Sequence, residues 1–153
     1  AGLEMSHISI PNEALRTPYQ YLLRYGLHVA NANSCGIPAA QAAYEHGEEW
    51  YQELLAYLQA NIDYLDAALK EQVPQVKLVR PESTYIPLLD MSALGMTNDE
   101  MKAFVINEVG AALNAGSTFG PGGEKFMRIN VATQRVHLET FVARLKEAVG
   151  RLQ

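Results

Sequence analysis

Apolar residues recur along this chain with two different periods, and the point where the period changes divides it. Trp50, Leu54, Leu58, Ile62, Leu65 and Leu69 follow one another at spacings of four, four, four, three and four. That is one apolar stripe on a helix, predicted over residues 47–72, with acidic and polar residues around the rest of its surface. Such a stripe is core. Val73-Pro74 stops the helix. Residues 76–79 and 84–90 then read as strands, and Pro87 argues for an edge or bulged position in the second. Thr97-Asn98-Asp99-Glu100 has the form of a capping box, opening a helix whose inner face is Met101, Phe104, Val105 and Val109. Residues 111–115 make a short candidate strand. Phe126-Met127-Arg128-Ile129-Asn130-Val131 alternates apolar and polar positions and predicts another. A last amphipathic helix carries Phe141, Leu145, Val149 and Leu152.

Ahead of the long helix the pattern is thinner. Residues 6–10 alternate as a short strand would. Asn12 is an N-cap for a helix through about Tyr25, ended by Gly26 and kinked or split at Pro18. Ser34 is a second cap candidate, with Pro38 early in an alanine-rich helix. The predicted fold class is therefore α+β: a small, mainly antiparallel sheet covered by helices, preceded by a strand and long helices. The strand at 6–10 needs sheet neighbours that these residues do not supply. With the opening Ala1-Gly2-Leu3, which lacks a Met, this raises the expectation of a piece of a longer protein.

Composition narrows the class of function. Hydrophobic residues are 48% and charged residues 19% of the 153, ordinary for a soluble domain. Twelve basic against 17 acidic residues give a net charge of −5, with no concentrated basic run, which disfavours nucleic acid and anionic membrane as partners. No apolar run approaches the length of a spanning helix. The single cysteine, Cys35, cannot form an internal disulfide and points to a reducing, cytoplasmic setting.

Candidate chemistry is sparse. His7, His28, His46 and His137 fall in no metal-binding spacing and read as surface or half-buried imidazoles. Cys35 reads as a small buried thiol near a helix start rather than a nucleophile. Gly120-Pro121-Gly122-Gly123-Glu124-Lys125 lacks the spacing of a phosphate loop and precedes a strand, so it reads as a glycine-rich turn able to line a pocket mouth. Arg128 stands out because Met127 and Ile129 beside it are apolar, so in a strand it points to the opposite face. Two readings stand open from pattern alone. It is an exposed strand arginine, or a guanidinium aimed into a cleft, where it can grip a carboxylate through two parallel hydrogen bonds.

Several segments, in order, resemble the C-terminal part of fold-type I pyridoxal-phosphate (PLP) enzymes, most closely the cystathionine beta-lyase-like C–S lyase branch related to class I and II aminotransferases. They are Ala1-Gly2-Leu3 with Ile8 to Asn12 and Leu15-Arg16; Ala39 to Tyr44 with Gly47-Glu48-Glu49-Trp50; Thr84 to Asp90 with Ala93-Leu94-Gly95; and Phe119 to Glu124 with Phe126 to Ala132. The resemblance implies that Arg128 pairs with the substrate α-carboxylate. It implies that the Schiff-base lysine lies just before Ala1, and that the other cofactor contacts are upstream too, so that no catalytic, cofactor-binding or metal-binding residue is expected in this chain. Residues 1–33 would be a remnant of the large PLP-binding domain and residues 34–153 the small domain with the long inter-domain helix. Many aminotransferases of this fold have a phosphate-binding arginine where Glu4 falls, a departure that favours the lyase branch. The intact enzyme implied is a homodimer that binds PLP, takes a cysteine thioether, expels the β-thiolate and releases pyruvate and ammonia, while the fragment alone is inactive. The alternatives are class I/II aminotransferase activity and a non-catalytic regulatory or interaction module of the same fold.

Overall fold

The structure is a computed structural model that describes residues 3, 5–29 and 33–152. Its backbone groups into two compact units, Ala1–Gln52 and Glu53–Gln153.

In the first unit, α1 (Glu13–Tyr21) starts where the sequence predicts. The Asn12 side-chain oxygen accepts from the Ala14 N–H at 2.9 Å, and Glu13 lies in the first turn. The break expected at Pro18 is displaced. α-Helical bonding continues to Tyr21 and then widens into a π turn, Leu22–Gly26, closed by the Leu27 N–H donating to the Leu22 carbonyl at 2.8 Å. The strand expected at 6–10 is not formed. Those residues have no ladder partner among the described residues, and alternation without a neighbour supplies no hydrogen bonds. α2 (Gly36–His46) is also capped differently from expectation. The Asn33 side chain accepts from the Cys35 N–H at 2.8 Å, where Ser34 was expected to cap. Cys35 occupies the N-cap position, outside the helix's packed face, and is exposed rather than buried.

α3 (Glu48–Gln72) is the long helix of the stripe. Leu58, Ile62, Leu65 and Leu69 are buried as expected, but Trp50, expected in the core, is 66% exposed. It sits in the first turn, before the part of the helix that belongs to the second unit.

The second unit holds the sheet. Strands β1 (Lys77–Val79), β2 (Leu88–Asp90), β3 (Asn114–Ala115) and β4 (Phe126–Arg128) stand in the order β1-β2-β4-β3, every pair antiparallel. Helices α4 (Asn98–Asn107) and α5 (Arg135–Gly150) complete the α+β layer. The expected capping box is present at α4: the Thr97 hydroxyl accepts from the Glu100 N–H while the Glu100 carboxylate accepts from the Thr97 N–H. The Thr97 N–H, and after it the Thr97 hydroxyl donating to the same carboxylate at 2.8 Å, hold the Glu100 carboxyl below its usual range. β2 is an inner strand with continuous register on both sides, contrary to the edge or bulged position expected from Pro87. The proline lies just ahead of the ladder; its carbonyl accepts from the Ile129 N–H at 3.1 Å, and only the return bond from its own nitrogen is missing. The extended run begins after Thr84, whose left-handed φ of 63° is costly for a β-branched residue and separates it from the strand. Leu152, expected on the inner face of the last helix, is exposed beyond its end.

The pleat sorts side chains by row. Leu78, Leu89, Met127 and Ala115 are aligned across the four strands; the last three join Leu65, Val105 and Leu145 in the core, and half-buried Leu78 packs against it. Val79, Leu88, Arg128 and Asn114 form the adjacent row on the opposite face.

Candidate functional site

Arg128 ends β4 with apolar, buried Met127 and Ile129 on either side, so the pleat carries its side chain away from the core. It is half-buried. One Nη2–H donates to the Asn114 side-chain oxygen at 2.9 Å, and the guanidinium lies 5.0 Å from the centre of the Phe119 ring. Among the described residues no carboxylate pairs with it. Other arginines do have carboxylate partners: Arg80 with Asp63 and Asp66, Arg151 with Glu108.

The loop that carries Phe119 is built on glycine. A short 3₁₀ turn, Gly116–Phe119, follows β3, and the Thr118 hydroxyl donates to the Ala115 carbonyl at 2.6 Å. A side chain on Gly116 would run into the Gly123 carbonyl, and one on Gly123 into the Gly116 carbonyl. Gly122 has a left-handed φ of 91°, which favours glycine. The loop leads into β4 and opens no helix, so it lacks the dipole of a phosphate loop. The Lys125 ammonium donates to the Met96 carbonyl at 2.8 Å.

Beyond β4 the chain is clamped. The Ile129 and Val131 N–H groups donate to Pro87 and Tyr85, extending the pairing past the ladder. The Val131 and Thr133 carbonyls then accept from the Asn61 side chain at 2.8 and 3.0 Å. Asn61 is fully buried on α3, and its oxygen accepts from Arg135 Nε at 2.9 Å. The Arg135 guanidinium stacks 4.5 Å from the centre of the Tyr64 ring. Burial, followed by the Glu139 charge, raises the Tyr64 hydroxyl above its ordinary value. Sequence reading missed Asn61; the available signal was an amide beside Ile62, on the inner face of an otherwise apolar stripe.

The other candidates do not gather at Arg128. All four histidines are exposed, and no group of acids, histidines and cysteines among the described residues could hold a metal ion. Asp66, Asp63 and Arg80 form a separate cluster with Lys70. Lys70, with Arg80, pulls the Asp66 carboxyl below its usual range, and Arg80, with Gln59, does the same for Asp63. This cluster ties α3 to the segment after β1. Ala1 and Gly2, which carried part of the resemblance, and Glu4, the departure from it, lie outside the described residues. No helix among the described residues is long and apolar enough to cross a membrane.

The family model for aminotransferase class I and II matches residues 19–145. The chain is 34% identical over 151 residues to the cystathionine beta-lyase PatB of Bacillus subtilis, covering 98% of this chain and 38% of that protein. It is 29% identical to the protein MalY of Escherichia coli, covering 92% and 36%. Among solved structures, cystalysin from Treponema denticola, which contains a pyridoxal 5'-phosphate cofactor, superposes with a TM-score of 0.93 at 26% identity, over 99% of this chain and 38% of its own. A PLP-bound C–S lyase from Staphylococcus hominis superposes with a TM-score of 0.81 at 30% identity, over 97% and 38%. The chain thus spans less than two fifths of the length of these relatives.

Proposed function

This chain belongs to the aminotransferase class I and II family, and from that premise we propose that it forms the carboxylate-recognising part of a PLP-dependent C–S β-lyase acting on cysteine thioethers. Arg128 is the residue that grips the substrate α-carboxylate. One observation carries this reading: a half-buried strand guanidinium, oriented by Asn114 and Phe119, has no carboxylate partner among the described residues. A planar guanidinium with free N–H donors binds a carboxylate through two parallel bonds and fixes its rotation as well as its position. Holding one end of an amino acid in this way decides which bond to its α-carbon faces the reacting group, an orientation effect.

The described residues fit only this end of such a site. Attachment of PLP needs a lysine whose amine is desolvated and unpaired. None of the five lysines is buried, and Lys70, Lys102 and Lys125 are held by Asp66, Asp99 and the Met96 carbonyl. The proposal therefore assigns the cofactor's lysine to sequence outside these 153 residues, and takes the working enzyme to be a homodimer.

The test uses the holoenzyme that carries this sequence. Pyruvate should be released from cystathionine, and Arg128→Ala should lose about 2–5 kcal/mol of kcat/KM, the cost of removing one partner from a buried charge pair. Unchanged kinetics in that variant remove Arg128 from the site. Amino-group transfer to a keto acid without pyruvate release replaces the lyase reading by an aminotransferase.

A further inference from the structure

Asn114 and Arg128 face each other directly across the β3–β4 pair. Direct partners in an antiparallel ladder share a face, with β-carbons about 5 Å apart. The Asn114 oxygen takes one Nη2–H at 2.9 Å. Its orientation is fixed by chemistry, because a guanidinium only donates and the amide nitrogen cannot accept. Phe119 adds a second constraint, with its ring centre 5.0 Å below the guanidinium carbon.

We propose that Asn114 is a positioning residue that sets which edge of Arg128 a carboxylate meets, and that its neutrality is essential to the task. The proposal rests on the reading of Arg128 as the carboxylate-binding residue. The hydrogen bond fixes the rotation of the planar group, and the ring beside it limits how far the group can swing. A ligand then approaches in the plane, along the edge that Asn114 leaves free. The nature of the partner decides the electrostatics. Arg80 and Arg151 meet carboxylates, which offset their charge as well as orienting them. Arg128 meets an amide of the same shape as aspartate, so it is oriented while its charge stays available.

Substitution of Asn114→Asp changes the charge and almost nothing of the shape. In the holoenzyme carrying this sequence it should raise KM for amino-acid substrates about three- to tenfold at low salt, with kcat moving far less. The rise should shrink as salt is added, because an exposed ion pair is screened; a purely structural role would not respond in this way. Asn114→Ala should raise KM by less, about threefold, without that salt dependence. A second measurement needs neither activity nor cofactor. In the 153-residue chain, slowed rotation about the Arg128 Cζ–Nη bonds should be visible by NMR and lost in Asn114→Ala. Unchanged rotation in that variant, or wild-type KM in Asn114→Asp, overturns the proposal. If Arg128→Ala raises KM while both Asn114 variants match the wild type, only the role of Asn114 fails. If Arg128→Ala leaves KM unaltered, the carboxylate reading fails first.

Discussion

At the scale of single residues, Asn61 has the most bonds to lose. It is fully buried and spends both N–H donors and its oxygen on Val131, Thr133 and Arg135. Replacing it by leucine fills the volume but orphans the Val131 carbonyl and a guanidinium N–H, while the Thr133 carbonyl keeps the Tyr57 hydroxyl at 3.2 Å. We expect Asn61→Leu to lose about 2–4 kcal/mol of stability, read from the urea midpoint, since each unsatisfied buried group costs about 1–3 kcal/mol and some regain water. Asp66 sets a pH dependence. Lys70, with Arg80, lowers its folded pKa, so the carboxylate stabilises the fold above its unfolded value near 4. That contribution is lost as pH falls from about 4 through the lowered folded value. Asp66→Asn should flatten the urea midpoint's fall with acid in that window, at a cost of about 1 kcal/mol near neutrality, because Lys70 and Arg80 are largely in water. An acid limb identical to wild type would remove Asp66 from this role.

At the scale of elements, caps and loops decide where the chain turns. Thr97→Ala should cost about 1 kcal/mol by leaving the first turn of α4 without its acceptor. Gly116→Ala forces the backbone at Gly123 and Phe126 apart. It should destabilise the sheet and broaden the β4 amide signals; a variant as stable as wild type would mean the loop opens freely. These elements differ in how far sequence disclosed them. The stripe of α3 and the box of α4 were legible because both signals are local and lie within one turn. The strand at 6–10 was not, because alternation specifies a face and not a partner. The π turn after Pro18 and the Asn33 cap were missed for a related reason: several local hydrogen-bond solutions compete there at similar cost. Pro87 misled because a proline one residue ahead of a ladder gives up a single bond and leaves the residues after it free to pair on both sides.

At the scale of the molecule, the two units differ in what they bury. α1 buries none of its residues, and Leu15, Tyr21, Leu22, Tyr25, Leu27 and Val29 are exposed. So much apolar surface should drive self-association, seen as a sedimentation coefficient that rises with concentration. Hydrogen exchange should be faster in α1 than in the core turns of α3 and α5. The chain incubated with PLP and borohydride should trap no cofactor, and a trapped adduct would place an attachment lysine within it. The outward direction of Arg128 was legible from its apolar neighbours, and the role proposed for it comes only through resemblance. Asn114 was not legible, because fourteen residues separate the pair and only the strand register joins them.

That register also divides labour. The row of Leu78, Leu89, Met127 and Ala115 belongs to the core or packs against it, and the row of Val79, Leu88, Arg128 and Asn114 faces the other way. Leu88, the direct partner of Arg128, can therefore change with less penalty to folding than its core neighbour Leu89, while altering what lies beside the guanidinium. On the proposed reading of Arg128, such a sheet lets ligand preference evolve along one surface while thermal resilience is selected on the other.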